Sequence, residues 1–190
     1  DARCNGPEAI LSSCTRKLGR RHLRLDALNL GPLLGAMISA IVPTLNAARD
    51  LHLLLSALVP AAADGLVCQV LVVDGGSSDG TLELCEDAGA DVLTTTLADA
   101  VAGARGEWVL VLPVNLRLRR GWGEAVAAHL ERGGQAALLT EGVDQGGWLA
   151  RLRTPARAGV LLRRSAAAAL GSTADLDALR RLAGRAPRLS

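Results

Sequence analysis

The chain has 190 residues, of which 49% are hydrophobic and 21% charged, with a formal net charge of +2. This composition excludes a disordered or collagen-like chain, the length is enough for one domain with its own core, and the small net charge does not indicate a nucleic-acid partner. The charge is unevenly distributed, since residues 37–112 contain 10 acidic and 2 basic residues and residues 113–190 contain 6 acidic and 13 basic ones. Two interpretations stay open, a positive surface beside a binding cleft or two solvated faces.

Residues 1–36 lack a clear periodicity, and Met37 stands directly before the first strand-like run. We therefore expect one domain over residues 37–190, preceded by an N-terminal extension. The basic start has no continuous apolar run, and Gly and Pro interrupt the uncharged stretch 27–48, so neither a secretory signal nor a transmembrane segment is predicted. The four cysteines show no zinc-binding spacing and indicate free thiols in a reducing compartment. We expect the protein in the cytoplasm, with association to the inner face of the membrane as an open alternative.

Apolar runs and helical repeats alternate from residue 38 onward, and Pro60 is expected to end the first helix. Alternating strands and helices predict an α/β domain in which helices cover a parallel sheet. Strands are predicted over residues 38–42, 67–73, 91–94 and 107–112, with further strands near 136–139 and 159–162. Helices are predicted over residues 47–58, 81–88, 97–104, 121–131 and 176–183.

Polar turns follow three of the predicted strands, at residues 43–46, 74–81 and 113–116. In open α/β sheets, ligands bind beyond the carboxyl ends of the strands. The second turn, DGGSSDGT, matches neither the dinucleotide GxGxxG spacing nor the P-loop. Its first residue, Asp74, would repel phosphate but can accept a hydrogen bond from a base N–H or a ribose hydroxyl. Its glycines permit close backbone approach to a ligand, and Asp79 or Ser78 can cap the helix that follows.

The segments IVPTLN (41–46) and VVDGGSSDGT (72–81), separated by a helix, together resemble the nucleotide-binding half of family 2 glycosyltransferases. The resemblance implies a GT-A-like, Rossmann-like single domain with a mostly parallel sheet between helices. It also implies transfer of a sugar from a nucleotide-sugar donor by inverting displacement to an acceptor that is a saccharide, a lipid or a small molecule. A structural role for these loops, set by turn geometry alone, stays open. The residues to which the resemblance assigns nucleotide-sugar binding are Pro43, Thr44, Asn46, Asp74, Gly75, Ser77 and Asp79.

Family members hold a divalent cation, Mg²⁺ or Mn²⁺, through a DxD motif after the third long strand. Here Pro113-Val114-Asn115 occupies that position, so Asn115 is the motif residue that can offer a side-chain oxygen. Three arginines follow directly, and a guanidinium suits phosphate oxygens. Two hypotheses stay open for Arg117, Arg119 and Arg120: they neutralise the donor diphosphate in place of a metal, or they form an exposed basic turn.

The catalytic base of inverting members matches Asp175, although Ala174 replaces the preceding glutamate of the family. An acidic residue at a helix start is equally favoured as a cap. The altered DxD position, the missing glutamate and the short bridge 171–173 favour a second hypothesis, a degenerate domain that binds a nucleotide or a protein partner without transfer. Trp122 and Trp148 either stack on a sugar or pack in the core.

Overall fold

The computed structural model describes residues 37–140, 158–184 and 186–189, and the predicted extension 1–36 lies outside them. The strands in these ranges are β1 (Ile38–Thr44), β2 (Val67–Asp74), β3 (Asp91–Leu93), β4 (Trp108–Val111), β5 (Ala136–Leu139), β6 (Gly159–Arg163) and β7 (Arg188–Leu189). The helices are α1 (Ala48–Ala63), α2 (Thr81–Ala88), α3 (Leu97–Gly103), α4 (Trp122–Glu131), α5 (Arg164–Ala168) and α6 (Leu176–Ala183), with a 3₁₀ turn at Gly171–Thr173.

The seven strands form one sheet in the order β3-β2-β1-β4-β6-β5-β7. Strands β1 to β4 pair in parallel, β6 pairs antiparallel with both β4 and β5, and β7 pairs in parallel with β5. Strand β6 therefore runs against the other six. The predicted α/β architecture with a mostly parallel sheet is confirmed.

Helices cover both faces of the sheet, and alternate residues of the central strands point into two separate cores. In β1, Ala40 and Val42 belong to the core beneath α1, whereas Ile41 belongs to the opposite core. Helix α1 has the period of a helix packed on a sheet, because its buried leucines lie three or four residues apart. Burial of each leucine stabilises the fold by about 2 kcal/mol. These leucines are Leu51, Leu54, Leu55 and Leu58.

The expected end of α1 at Pro60 is wrong, because the helix continues to Ala63. A proline removes one helical N–H and leaves the carbonyl four residues earlier without its partner. Here that residue is Ser56, and both Ser56 and Pro60 are exposed, so water can bind the carbonyl. Beyond it, the N–H of Asp64 still donates to the carbonyl of Pro60 at 2.9 Å.

Elements of only a few residues are too short to show a periodic pattern, so α5, the 3₁₀ turn and β7 are not predicted from the sequence.

Trp122 is 6% exposed, and its indole N–H donates to the carbonyl of Ala57 at 3.0 Å, so it packs in the core. Trp148 lies outside the described residues. Both cysteines of the described ranges, Cys68 and Cys85, are free thiols. None of the helices in these ranges is long and apolar enough to cross a membrane.

Candidate active site

The turns beyond β1 and β2 meet at one edge of the sheet. Thr44 is the register partner of Asp74 in the parallel pairing of β1 with β2. One residue further, the N–H of Gly75 donates to the carbonyl of Thr44 at 2.9 Å and extends the pairing into the turn. Strand β4 pairs with β1 on its other side, so the turn after β4 reaches the same edge. The fold thus brings together the three polar turns that the sequence indicates.

Asp74 is buried at the end of β2, with 7% of its surface exposed. Its carboxylate accepts hydrogen bonds from the N–H of Gly76 at 3.0 Å, the N–H of Ser77 at 2.9 Å and the hydroxyl of Ser77. The Ser77 hydroxyl is the main cause that lowers the pKa of Asp74, and burial opposes it. Because the charged form is stabilised, Asp74 places a fixed negative charge at the strand end and holds the glycine turn in shape.

Asn46 joins the turn after β1 to the turn after β2. Its N–H donates to the hydroxyl of Ser77 at 2.8 Å, and its side-chain oxygen accepts from the N–H of Ser78 at 2.8 Å. Its φ of 48° lies in the left-handed region, which asparagine tolerates better than most residues. The conformation turns the chain from β1 into α1 while both hydrogen bonds are kept.

Asp79 binds the amino ends of two helices. One carboxylate oxygen accepts from the N–H of Ala48, in the first turn of α1, at 3.3 Å. The other accepts from the N–H of Thr81, in the first turn of α2, at 3.1 Å, and from the Thr81 hydroxyl. The Thr81 hydroxyl is the main cause that lowers the pKa of Asp79. Asp79 therefore satisfies N–H groups that have no partner within their own helices.

The hydroxyl of Thr44 is buried without a hydrogen-bond partner. The residue is 7% exposed and lies beside Asp74. In the described part of the chain, the other buried side-chain atom without a partner is Nε2 of His129, on α4. Buried polar atoms are nearly always satisfied, so Thr44 has a capacity for a hydrogen bond that the protein itself leaves unused.

A cavity of about 510 Å³ brings together Pro43, Asn115 and Asp175, which are far apart in the sequence. Its walls come from the end of β1, the start of α3, the turn after β4 and the start of α6. We call it the cleft. Its remaining lining residues are Leu97, Pro113, Val114, Ala174 and Leu176.

A second cavity of about 690 Å³ lies over the amino end of α1 and brings together Asn46, Asp79 and Arg117. We call it the outer pocket. Arg117 is held against α1 by an ion pair in which its guanidinium lies 2.5 Å from Asp50. Pro43 and Asn115 line the cleft, whereas Asn46 and Arg117 line the outer pocket, so the same two turns border both cavities.

Arg119 and Arg120 are exposed and line neither cavity. Asp50 and Arg49 line the outer pocket, and sequence reasoning does not find them. An acidic residue in a first helical turn is common for reasons of capping alone. The ion pair with Arg117, 67 residues away, leaves no local pattern in the sequence.

Asp175 begins α6 and lies at the cleft at the same time. One carboxylate oxygen accepts from the N–H of Ala178 at 2.5 Å, so the residue is the N-cap of the helix. Helix α6 is anchored by Arg180, which donates to the carbonyl of Ala158 at 2.9 and 3.1 Å and to Asp177 at 2.9 Å. Asp175 is therefore held in place at the start of an anchored helix.

The turn after β4 does not fit Mg²⁺ or Mn²⁺, which favour several hard and preferably anionic oxygen ligands. Pro113 has no side-chain oxygen, and its carbonyl already accepts from the N–H of Leu116 at 2.9 Å. Asn115 offers one neutral amide oxygen, and one oxygen of Asp175 is used in the helix cap. Within the ranges that the structure describes, no three His, Cys, Asp or Glu residues are grouped to hold a metal.

Known structures share this fold. Glucosyl-3-phosphoglycerate synthase from Mycobacterium tuberculosis, solved with Mn²⁺, uridine-diphosphate and glucosyl-3-phosphoglycerate, superposes with a TM-score of 0.60 at 21% identity. The match covers 90% of this chain and 76% of that one. Mannosyl-3-phosphoglycerate synthase from Rubrobacter xylanophilus superposes with a TM-score of 0.54 at 19% identity, over 70% of this chain and 56% of that one.

At the sequence level, residues 39–165 match the family model of glycosyl transferase family 2. No curated protein matches the chain. The matched range is well over half of the chain and includes both polar turns of the nucleotide-binding resemblance. The chain therefore belongs to glycosyl transferase family 2, and its fold is that of the GT-A glycosyltransferases.

Proposed function

We propose that this glycosyltransferase binds a nucleotide-sugar across the outer pocket and the cleft and transfers the sugar, with inversion, to an acceptor in the cleft. The observation that carries the proposal is the convergence of Pro43, Asn115 and Asp175 on one cleft. The neighbouring outer pocket is lined by Asn46 and Arg117, from the turns that carry Pro43 and Asn115, and by Asp79 from the turn after β2. A donor of nucleoside, diphosphate and sugar is extended, and two cavities bordered by the same two turns can accommodate it.

The nucleoside binds at the ends of β1 and β2 in this proposal. Asp74 has a charged carboxylate, and the unused hydroxyl of Thr44 lies beside it. A base N–H or a ribose hydroxyl can donate to a carboxylate oxygen, while the threonine hydroxyl can donate or accept. Pro43, Asn46, Gly75, Ser77 and Asp79 shape this surface.

The position of Asp175 at the cleft supports its role as the base in this proposal. The oxygen of Asp175 that does not cap α6 takes the proton from the acceptor hydroxyl. The acceptor oxygen then forms a bond to the anomeric carbon, and the bond from that carbon to the diphosphate oxygen breaks. The nucleoside diphosphate leaves with the electron pair, and attack from the opposite side inverts the configuration. In our proposal Arg117 supplies positive charge near the leaving diphosphate, and Arg119 and Arg120 add to it from outside the two cavities.

An anionic small molecule is the acceptor class that we favour. The chain from residue 113 onward holds 13 basic and 6 acidic residues. A glucosyl-3-phosphoglycerate synthase structure of the same fold was solved with Mn²⁺, uridine-diphosphate-glucose and phosphoglyceric acid. A phosphorylated or carboxylated acceptor would be attracted by the net positive charge of this part of the chain.

Calorimetry with uridine and guanosine diphosphates and their sugars, followed by an assay of slow donor hydrolysis, tests the proposal. Binding with hydrolysis supports a transferase. Binding without hydrolysis, and without transfer to any phosphorylated or carboxylated acceptor, supports the second hypothesis of a nucleotide-binding domain, which the altered turn after β4 favours. Failure of every nucleotide to bind would overturn both.

A further inference from the structure

The turn after β4 lacks the donor atoms that would hold a divalent cation such as the Mn²⁺ in the structural neighbours. The carbonyl of Pro113 is used in a turn, and Asn115 presents a neutral amide. The remaining acidic residue of the cleft lining, Asp175, is engaged at the start of α6. A hard dication loses favourable hydration energy when it leaves water. One amide oxygen and one carboxylate that already caps a helix would replace less of that energy than is lost.

Positive charge is present at the same turn in another form. Arg117 follows Asn115 by two residues and reaches the outer pocket, where Asp50 fixes its guanidinium while 45% of the side chain stays exposed. The turn borders the cleft at Asn115 and the outer pocket at Arg117, so a diphosphate that bridges the two cavities would lie along this turn. A guanidinium already held in place loses little conformational freedom when it binds phosphate oxygens.

We propose that this protein binds the diphosphate of its donor without a divalent cation, with the arginine-bearing turn after β4 in place of the metal. The inference rests on the proposed nucleotide-sugar donor and goes beyond it, because a transferase of this family with a bound cation would satisfy the proposed function equally well. Ion pairing to exposed arginine weakens as salt screens it. We therefore expect the affinity for the donor to fall as the salt concentration rises, and to stay the same when a chelator removes divalent cations.

The test is calorimetry of uridine diphosphate and guanosine diphosphate with the full chain, in excess EDTA and in excess Mn²⁺. We expect the dissociation constant of the nucleotide that binds to agree within about twofold between the two conditions. Affinity at least about tenfold tighter with Mn²⁺ would overturn the inference and leave the proposed function intact. Absence of binding under both conditions would overturn the proposed function, and the inference with it.

A readout on the metal itself completes the test. The electron paramagnetic resonance signal of free Mn²⁺, measured with uridine diphosphate, should be the same with and without the wild-type chain. A double variant, Pro113→Asp with Asn115→Asp, restores two carboxylates to the turn and should lower that signal and make nucleotide affinity depend on Mn²⁺. Loss of free Mn²⁺ to the wild-type chain contradicts the inference. A folded double variant whose affinity stays indifferent to Mn²⁺ would show that the turn does not face the diphosphate, which also contradicts it.

Discussion

Thr44 lies directly opposite Asp74 in the register of β1 and β2, yet its buried hydroxyl has no hydrogen-bond partner, whereas the Asp74 carboxylate accepts three hydrogen bonds. The two residues therefore differ in what they do for the folded protein. Asp74 stabilises its own turn, and Thr44 carries a desolvated hydroxyl that contributes no bond. The capacity of the Thr44 hydroxyl for a hydrogen bond is unused in the folded chain.

Replacement of that hydroxyl should separate binding from stability. In Thr44→Val, we expect the free energy of unfolding to stay equal or to rise, because a buried group without a partner is removed. Affinity for the nucleoside diphosphate should fall about fivefold, the value of roughly one hydrogen bond. Urea unfolding and calorimetry measure the two quantities. The matched control is Thr81→Val, whose hydroxyl binds Asp79 and Ala47, and which should lose stability. Unchanged affinity in Thr44→Val would place the ligand elsewhere.

The left-handed conformation of Asn46 predicts an order of stability for two variants. Asn46→Gly and Asn46→Ala both lose the acceptor for the N–H of Ser78. Alanine, unlike glycine, has a Cβ, which is unfavourable at a φ of 48°. We expect the alanine variant to be less stable than the glycine variant by about 1 kcal/mol in urea unfolding. Equal stabilities would mean that the turn relaxes to another conformation.

Acid should abolish the contribution of Asp74 to stability. Because its pKa is lowered from 3.8 in the folded chain, the charged form is stabilised by folding. Its contribution is fully present above that value and is lost as the pH falls through the lower folded pKa. The difference in unfolding free energy between the wild type and Asp74→Asn should therefore be largest at neutral pH and shrink at about pH 3. Urea unfolding at both pH values measures it.

The cap and base roles of Asp175 can be distinguished by one substitution. Asparagine is as good an N-cap as aspartate, so Asp175→Asn should change stability by less than about 0.5 kcal/mol. It cannot take a proton, so kcat should fall at least about a hundredfold. Asp175→Ala should lose turnover and also about 1 kcal/mol of stability. A folded Asp175→Asn variant with wild-type kcat would leave Asp175 as a cap alone.

The positive charge of Arg117 should strengthen binding of the diphosphate group and leave binding of the nucleoside unchanged. In Arg117→Gln we expect binding of uridine diphosphate to weaken about fivefold at low salt, and binding of uridine to stay unchanged. Arg119→Gln and Arg120→Gln should have smaller effects, because neither residue lines a cavity. The control is Arg132→Gln, at the exposed end of α4. Equal losses for the nucleoside and the diphosphate in Arg117→Gln would indicate general disruption of the outer pocket. Calorimetry of both ligands decides this.

Most elements of the fold follow from local pattern. The predicted helices at Thr81–Ala88 and Leu176–Ala183 agree with the structure at both ends, since a capped start and a helical repeat lie within eight residues. Pro60 was expected to end α1, but the buried leucines on the opposite face hold that helix together. The direction of β6 could not be predicted, because nothing in its residues indicates that it pairs antiparallel with both neighbours.

The sequence by itself determined the family, the α/β class and the polar turns of the site, because a strand, its glycine turn and its capped helix are encoded by consecutive residues. Only the tertiary structure decided which of those residues act together. It brought Asn115 and Asp175 to one cleft, turned Arg117 toward Asp50 and left the Thr44 hydroxyl without a partner. These relationships depend on contacts between residues far apart in the chain, which leave no periodic trace in the sequence.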